Sequence, residues 1–246
     1  MAETDQDGLK ALPEWRYDES IPVARDFTSA EEVQAYDGFH RRFRDVEADT
    51  ARAVELLAPR PGDVVADFGC GTGRLVLRLA PLCATVHAID LSGAMLDFAA
   101  RLAREEGLAN IEFHHATFLT YEHGGAPLDA AHSALALHHL PDFWKQVALR
   151  RIHAALRPGG RFVLTDISWP DERPLEAIDA WLDALSARDP EIGRALAETP
   201  RREFATTAWI LRAILERAGF AVERVIEGAG RVIHTFVCRA WGVASG

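Results

Sequence analysis

One stretch constrains the possible folds of this chain most: Val64-Val65-Ala66-Asp67-Phe68-Gly69-Cys70-Gly71-Thr72-Gly73-Arg74. An apolar run enters a turn with three glycines two residues apart, and the turn opens an apolar-periodic segment ending near Leu79. That pattern predicts the first strand–turn–helix unit of an open α/β sheet. Each glycine removes a Cβ where a sharp turn or a ligand brings something close to the backbone. Spacing then separates ligand classes. A dinucleotide fingerprint, G-x-G-x-x-G, needs its third glycine at Arg74, but here it stands at Gly73, and Asp67 stands two residues before the first. A carboxylate at that mouth repels a pyrophosphate and attracts an ammonium group, so the loop is expected to cradle a ligand with a positive end. Asp90 closes the next apolar run, where a carboxylate can accept hydrogen bonds from both hydroxyls of a ribose.

The rest of the chain repeats the same alternation. Strands are predicted over Val64–Asp67, Thr85–Asp90, Ile111–His115, Asp129–Leu135 and Arg161–Ile167. Helices are predicted over Gly73–Leu79, Gly93–Glu106 and Asp142–Leu156. The second has Ser92 as N-cap, Gly107 after its end, and Met95, Ala99 and Leu102 on one face. The third buries Trp144, Val147, Ala148, Ile152 and Ala155 and stops at Pro158-Gly159-Gly160. Such alternation predicts a parallel sheet with helices on both faces. The end breaks the rhythm: an acidic helical stretch over residues 170–200, a helix over Thr207–Ala218, and a hairpin of Ala221–Ile226 and Arg231–Cys238. Before the core, an unpatterned arm of about 30 residues precedes a helix over Ala30–Leu57, ended by Pro59 and Pro61. The expected organisation is effectively one domain: residues 1–58 as arm and helix, and 59–246 as core with a helical insertion over 170–205.

Composition narrows the function. With 246 residues, 48% apolar and 26% charged, the chain is an ordinary globular protein with a sizeable core. A net charge of −10 repels polyphosphate backbones and argues against nucleic-acid partners. No apolar run exceeds four residues and the first residues carry Glu3, Asp5 and Asp7, so neither membrane insertion nor a signal peptide is expected. Three scattered cysteines (Cys70, Cys83 and Cys238) suit a reducing cytoplasm rather than a disulfide framework.

Taken together and in order, several segments resemble the class I S-adenosylmethionine-dependent methyltransferases of the small-molecule type. They are Asp67-x-Gly69-x-Gly71-x-Gly73, Asp90-Leu91-Ser92, the strand from Asp129, Ala136-Leu137-His138-His139-Leu140-Pro141-Asp142, and Leu156-Arg157-Pro158-Gly159-Gly160. The resemblance covers about residues 60–170. It implies a Rossmann-like, doubly wound sheet of seven strands, parallel but for the last, closed by the C-terminal hairpin. Asp67, Gly69, Cys70, Gly71 and Gly73 would hold the methionine end of S-adenosylmethionine, and Asp90 the ribose. Leu91 and Met95 would flank the adenine, Thr117 and Phe118 would cap its far edge, and Ala134 would also contact the cofactor. Many relatives carry an aspartate where this chain has Thr117-Phe118, which shifts recognition there to backbone groups or the hydroxyl. The N-terminal helix would act as a lid, with Tyr36 near the sulfonium. The insertion with Trp169, Trp181 and Leu182 would close the acceptor pocket.

His138 and His139 follow the fourth strand, at the end of the sheet where ligands gather, and an imidazole of ordinary pKa is a suitable base for an acceptor's proton. They are the candidate catalytic residues. His114, His115, His123 and His132 lack ligand-like spacing and are read as structural, as is Asp129, so no metal is expected. The expected activity is direct in-line methyl transfer to a small molecule, leaving S-adenosylhomocysteine, by a monomer or homodimer. The sequence leaves two other readings open: a tRNA or rRNA methyltransferase, and a protein that binds the cofactor without transferring methyl. A nicotinamide oxidoreductase fails on Asp67 and Arg74.

Overall fold

A computed structural model describes residues 13–23 and 30–241. The remainder of the arm, 1–12 and 24–29, lies outside the described residues. The strands are β1 (Val64–Phe68), β2 (Thr85–Asp90), β3 (Ile111–His115), β4 (Leu128–Ala134), β5 (Leu156–Trp169), the two-residue β6 (Thr206–Thr207), β7 (Phe220–Glu227) and β8 (Ile233–Ala240). The helices are α1 (Ala30–Arg41), α2 (Val46–Leu57), α3 (Arg74–Leu79), α4 (Gly93–Glu105), α5 (Asp142–Ala155), α6 (Pro174–Arg188), α7 (Pro190–Leu196), α8 (Thr199–Arg202) and α9 (Ala208–Arg217). The sheet runs β3-β2-β1-β4-β5-β8-β7, with β6 beside β5. Neighbours from β3 to β5 pair in parallel, and β8 is antiparallel to both β5 and β7. This is the seven-stranded arrangement expected, extended by the short β6.

Alternation along each strand sorts side chains between the two faces. On β1 and β5, Ala66, Phe68, Phe162 and Leu164 join a core with Leu149, Ile152, Leu215 and Phe236, under α5 and α9. Val65 and Val163 face the other way, against Leu57, Val76, Leu79 and Leu96. The order reverses where β1 lies between β2 and β4, opening a crevice at their carboxyl ends.

Two expectations need correction. The helix predicted over Ala30–Leu57 is two, because the Asp45 side chain accepts from the Ala48 amide at 3.0 Å and caps a new start. No glycine or proline marks that break. Strand β5 begins before Arg161: Leu156 pairs with Leu128, and after an irregularity Arg161 pairs with Ala130, so Pro158-Gly159-Gly160 ends the helix without ending the pairing. The insertion is three helices whose core of Trp169, Trp181, Leu185 and Ile192 packs against Phe39 and Phe43. Arg42 clasps it, reaching Asp189 at 2.6 Å and Glu191 at 2.9 Å. Among the described residues no helix is long and apolar enough to cross a membrane.

Phe236 is fully buried in β8, which stitches the terminal hairpin to the parallel sheet. Phe236→Ala is expected to destabilise the protein by about 3–5 kcal/mol. Urea unfolding should show a lower midpoint with an unchanged m-value.

Candidate active site

The glycine turn leaves β1 with positive φ at Gly69 (72°), Gly71 (53°) and Gly73 (79°), a region that a Cβ disfavours. The space around them differs. A Cβ at Gly73 would lie 2.6 Å from the Ala99 Cβ, so this glycine lets α3 and α4 pack closely. A Cβ at Gly71 would meet nothing nearer than the Tyr36 ring at 3.9 Å, so the backbone there faces open space. Its amide donates to Asp90 Oδ2 at 2.7 Å, and the Ser92 amide donates to Asp90 Oδ1 at 2.8 Å. Burial pushes the Asp90 carboxyl above its ordinary pKa, against the pull of these two amides.

Two joined lobes open around the turn. The first encloses about 1020 Å³ counting its open mouth. Asp90, Leu91 and Met95 line it from the β2–α4 side, Thr117 and Phe118 from the loop after β3, and His139 from the loop after β4. Tyr36, Gly69, Gly71 and Ala134 border both lobes. The second lobe adds Asp67, Cys70, Thr72 and Arg74. Of the candidate cofactor-binding and catalytic residues, Gly73 and His138 line neither. Asp67 is not isolated at the mouth: its Oδ1 is 2.8 Å from His132 Nδ1, both side chains almost fully buried. Tyr36 is held over Gly71 by its neighbour Asp37, which accepts from Thr72 Oγ1 at 2.9 Å and pairs with Arg74 at 2.8 Å. Trp169, Trp181 and Leu182, expected to close the acceptor pocket, line neither lobe and instead seat the insertion on α1.

The arm supplies a wall that no sequence pattern marked. Tyr17, Glu19 and Ile21 line the first lobe. Glu19 accepts from the Phe118 amide at 3.2 Å and the Leu119 amide at 2.9 Å. Burial raises its carboxyl to about 7, against these bonds.

The two adjacent histidines separate sharply. His138 is buried, its Nδ1 2.5 Å from Asp166 Oδ1 and its Nε2 3.3 Å from Glu203 Oε2. Burial alone would lower its pKa, but the two carboxylates override that and raise it to about 9. His138, paired with carboxylates on both sides and lining neither lobe, is not placed to take an acceptor's proton, so of the two candidate bases only His139 faces the cleft. His139 lines the cleft, and its buried Nδ1 has no hydrogen-bond partner among the described residues. Burial first, then the neighbouring His138 charge, lowers it to about 4, so it is neutral at pH 7. Asp129 is structural as expected, accepting from the Val64 amide at 2.9 Å and from Arg157 at 2.6 Å.

Comparison with known proteins gives this geometry a family. Residues 65–160 match the model of a methyltransferase domain. An uncharacterized methyltransferase of Geobacillus thermodenitrificans is 31% identical over 196 residues, covering 80% of this chain and 86% of the relative. The chain belongs to the class I methyltransferase family. The fold of this methyltransferase is also that of solved structures. Magnesium protoporphyrin IX methyltransferase of Synechocystis, solved with bound S-adenosylmethionine, superimposes with a TM-score of 0.62 at 18% identity, over 92% of this chain and 99% of that one. A SAM-dependent methyltransferase of Aquifex aeolicus gives 0.58 at 20% identity, over 86% and 98%.

The clamp around His138 sets a pH dependence for the methyltransferase. A histidine raised from its unfolded value of about 6.5 to about 9 stabilises the fold fully below the lower value and loses that contribution as pH rises through the higher. The Tm is expected to fall between these pH values, and His138→Gln should flatten the slope. Parallel slopes in differential scanning calorimetry would remove His138 as its source.

Proposed function

We propose that this methyltransferase uses S-adenosylmethionine and methylates a small-molecule acceptor by direct in-line transfer. The open backbone at Gly71, tied to Asp90 beside an apolar lobe, carries the reading. A Cβ at that cradle would project into the cleft, Asp90 offers carboxylate oxygens for ribose hydroxyls, and Leu91, Met95 and Phe118 offer apolar faces for adenine. Asp67, in the second lobe, suits the ammonium of a methionine end. Gly69, Cys70 and Ala134 would contact the cofactor along the shared border, Thr117 would stand beside the adenine edge, and α1 with Tyr36 would serve as the lid. The sulfonium supplies a methyl group already activated for displacement, so the protein contributes chiefly proximity and alignment. His139, neutral and facing the cleft, would take the acceptor's proton. His138 would act one step back, its fixed charge keeping His139 unprotonated. The acidic net charge of −10 favours a small acceptor over a nucleic acid.

Gly71→Arg is expected to abolish S-adenosylhomocysteine binding in calorimetry while far-UV circular dichroism stays unchanged; tight binding by the folded variant would refute the loop assignment. Asp90→Ala removes hydrogen bonds to a charged acceptor worth about 1.5–3 kcal/mol each, so affinity should fall roughly ten- to a hundredfold or more.

For catalysis, an assay of S-adenosylhomocysteine release across a panel of hydroxyl, amine and thiol compounds identifies the acceptor. With it, His139→Ala should lower kcat by about 10²–10⁴ and leave cofactor affinity unchanged. Because burial and the neighbouring His138 hold the His139 pKa well below its ordinary value, the acidic limb of kcat/KM should lie below the ordinary histidine range. A limb that persists in the variant would assign it to another group.

A further inference from the structure

We propose that His87, Glu112 and His114 form a binding site for a zinc-type divalent ion, separate from the methyl-transfer cleft. Sequence spacing gave no hint of it, because the ligands come from two strands. In the parallel register of β2 and β3, His87 stands opposite Glu112. Two residues on, His114 points to the same face of β3 as Glu112. Three donor atoms therefore converge. His87 Nδ1 is 2.9 Å from His114 Nε2 and 3.4 Å from Glu112 Oε2, which is 3.9 Å from His114 Nε2.

These separations have the dimensions of a coordination sphere. A point equidistant from the three atoms lies about 2.0 Å from each, matching zinc–nitrogen and zinc–oxygen bonds of roughly 2.0–2.2 Å. A tetrahedral ion with such bonds spaces its ligands about 3.3–3.4 Å apart, the middle of the observed range. Two imidazoles and one carboxylate suit zinc or a neighbouring transition metal, whereas calcium and magnesium prefer oxygen alone.

The surroundings also favour coordination. Without an ion, the two facing nitrogens share one proton in a hydrogen bond; an ion would replace that proton. The Glu112 side chain is 60% exposed, which leaves a path in and room for water as fourth ligand. His123 packs edge-on against His87 with ring centroids 5.0 Å apart. Its own nitrogens are taken, by Tyr121 Oη at 3.1 Å and the Ala126 carbonyl at 2.7 Å, so it is a wall and not a ligand. The site lies where β3, the edge strand, needs fastening to β2. Tyr121 meets both His114 and Phe68 edge-on, so an ion there would also brace the loop that carries Phe118 into the cleft.

The test is titration of the full chain with Zn²⁺ against a chromogenic chelator, with Co²⁺ absorption to report coordination geometry. One ion should bind per chain, with the intense visible bands of tetrahedral cobalt. Glu112→Gln, at an exposed position that should fold normally, should weaken binding by at least about tenfold, and His114→Ala should abolish it. His139→Ala serves as the control, because His138, His139 and Glu203 also cluster within 4.8 Å of one another; it should leave zinc binding unchanged. No binding by the wild type, binding that survives both Glu112→Gln and His114→Ala, or binding lost only in His139→Ala would each overturn the proposal.

Discussion

The hydrogen bond from the Gly71 amide to the Asp90 carboxylate joins the two strands on which the cleft depends. Parallel register brings the ends of β1 and β2 side by side, and the left-handed turn at Gly71 aims its amide across the gap. Everything at the mouth is arranged around that link. Asp90 also accepts from Ser92, whose side chain caps α4 and so places Met95 on the cleft wall. On the other side, Arg74 and Thr72 hold Asp37 and bring α1 down over the turn. One short segment thus positions a strand end, a helix start and a covering helix.

The far side of the cleft is closed by pieces distant in sequence. The arm's Tyr17 donates to the His139 carbonyl at 3.2 Å and sets its ring edge against Phe204. Phe204 returns its amide to the His138 carbonyl at 2.9 Å, and the buried Lys145 donates to the Phe204 carbonyl and to Asp142. Glu203 completes the clamp on His138. A buried positive charge with carboxylates on both sides costs much to break from one side. The loop carrying His139 is therefore fixed by its neighbour's charge as well as by packing.

The core of the fold was legible because its signals are local. Glycine spacing, caps at Ser92 and Gly107, and the apolar period of each strand act within a few residues, and the sheet followed from their order. The break at Asp45 was missed because a cap in a polar run looks like any helix surface. The roles of His138 and His139 could not be divided from sequence: Asp166 and Glu203, which decide between them, lie 28 and 65 residues beyond His138. For the same reason His132 gave no sign of its pairing with Asp67, nor His87 of its approach to His114 and Glu112. Glu19 lay in a segment without periodicity, and only the folded arm gives it a partner.

Glu19 also makes the arm's hold on the cleft wall depend on pH. A carboxyl whose pKa rises from about 4.5 to about 7 on docking binds protons more tightly in the docked state. Docking is therefore favoured at lower pH and increasingly penalised as pH rises through that interval, with the full penalty above it. At neutral pH the arm rests on the Phe118 and Leu119 amides through Glu19 and on His139 and Phe204 through Tyr17. The arm and the loop after β3 thus share one wall of the cleft whose hold is pH-dependent, while the pairing of β1 with β2 and β4 beneath it involves no such group.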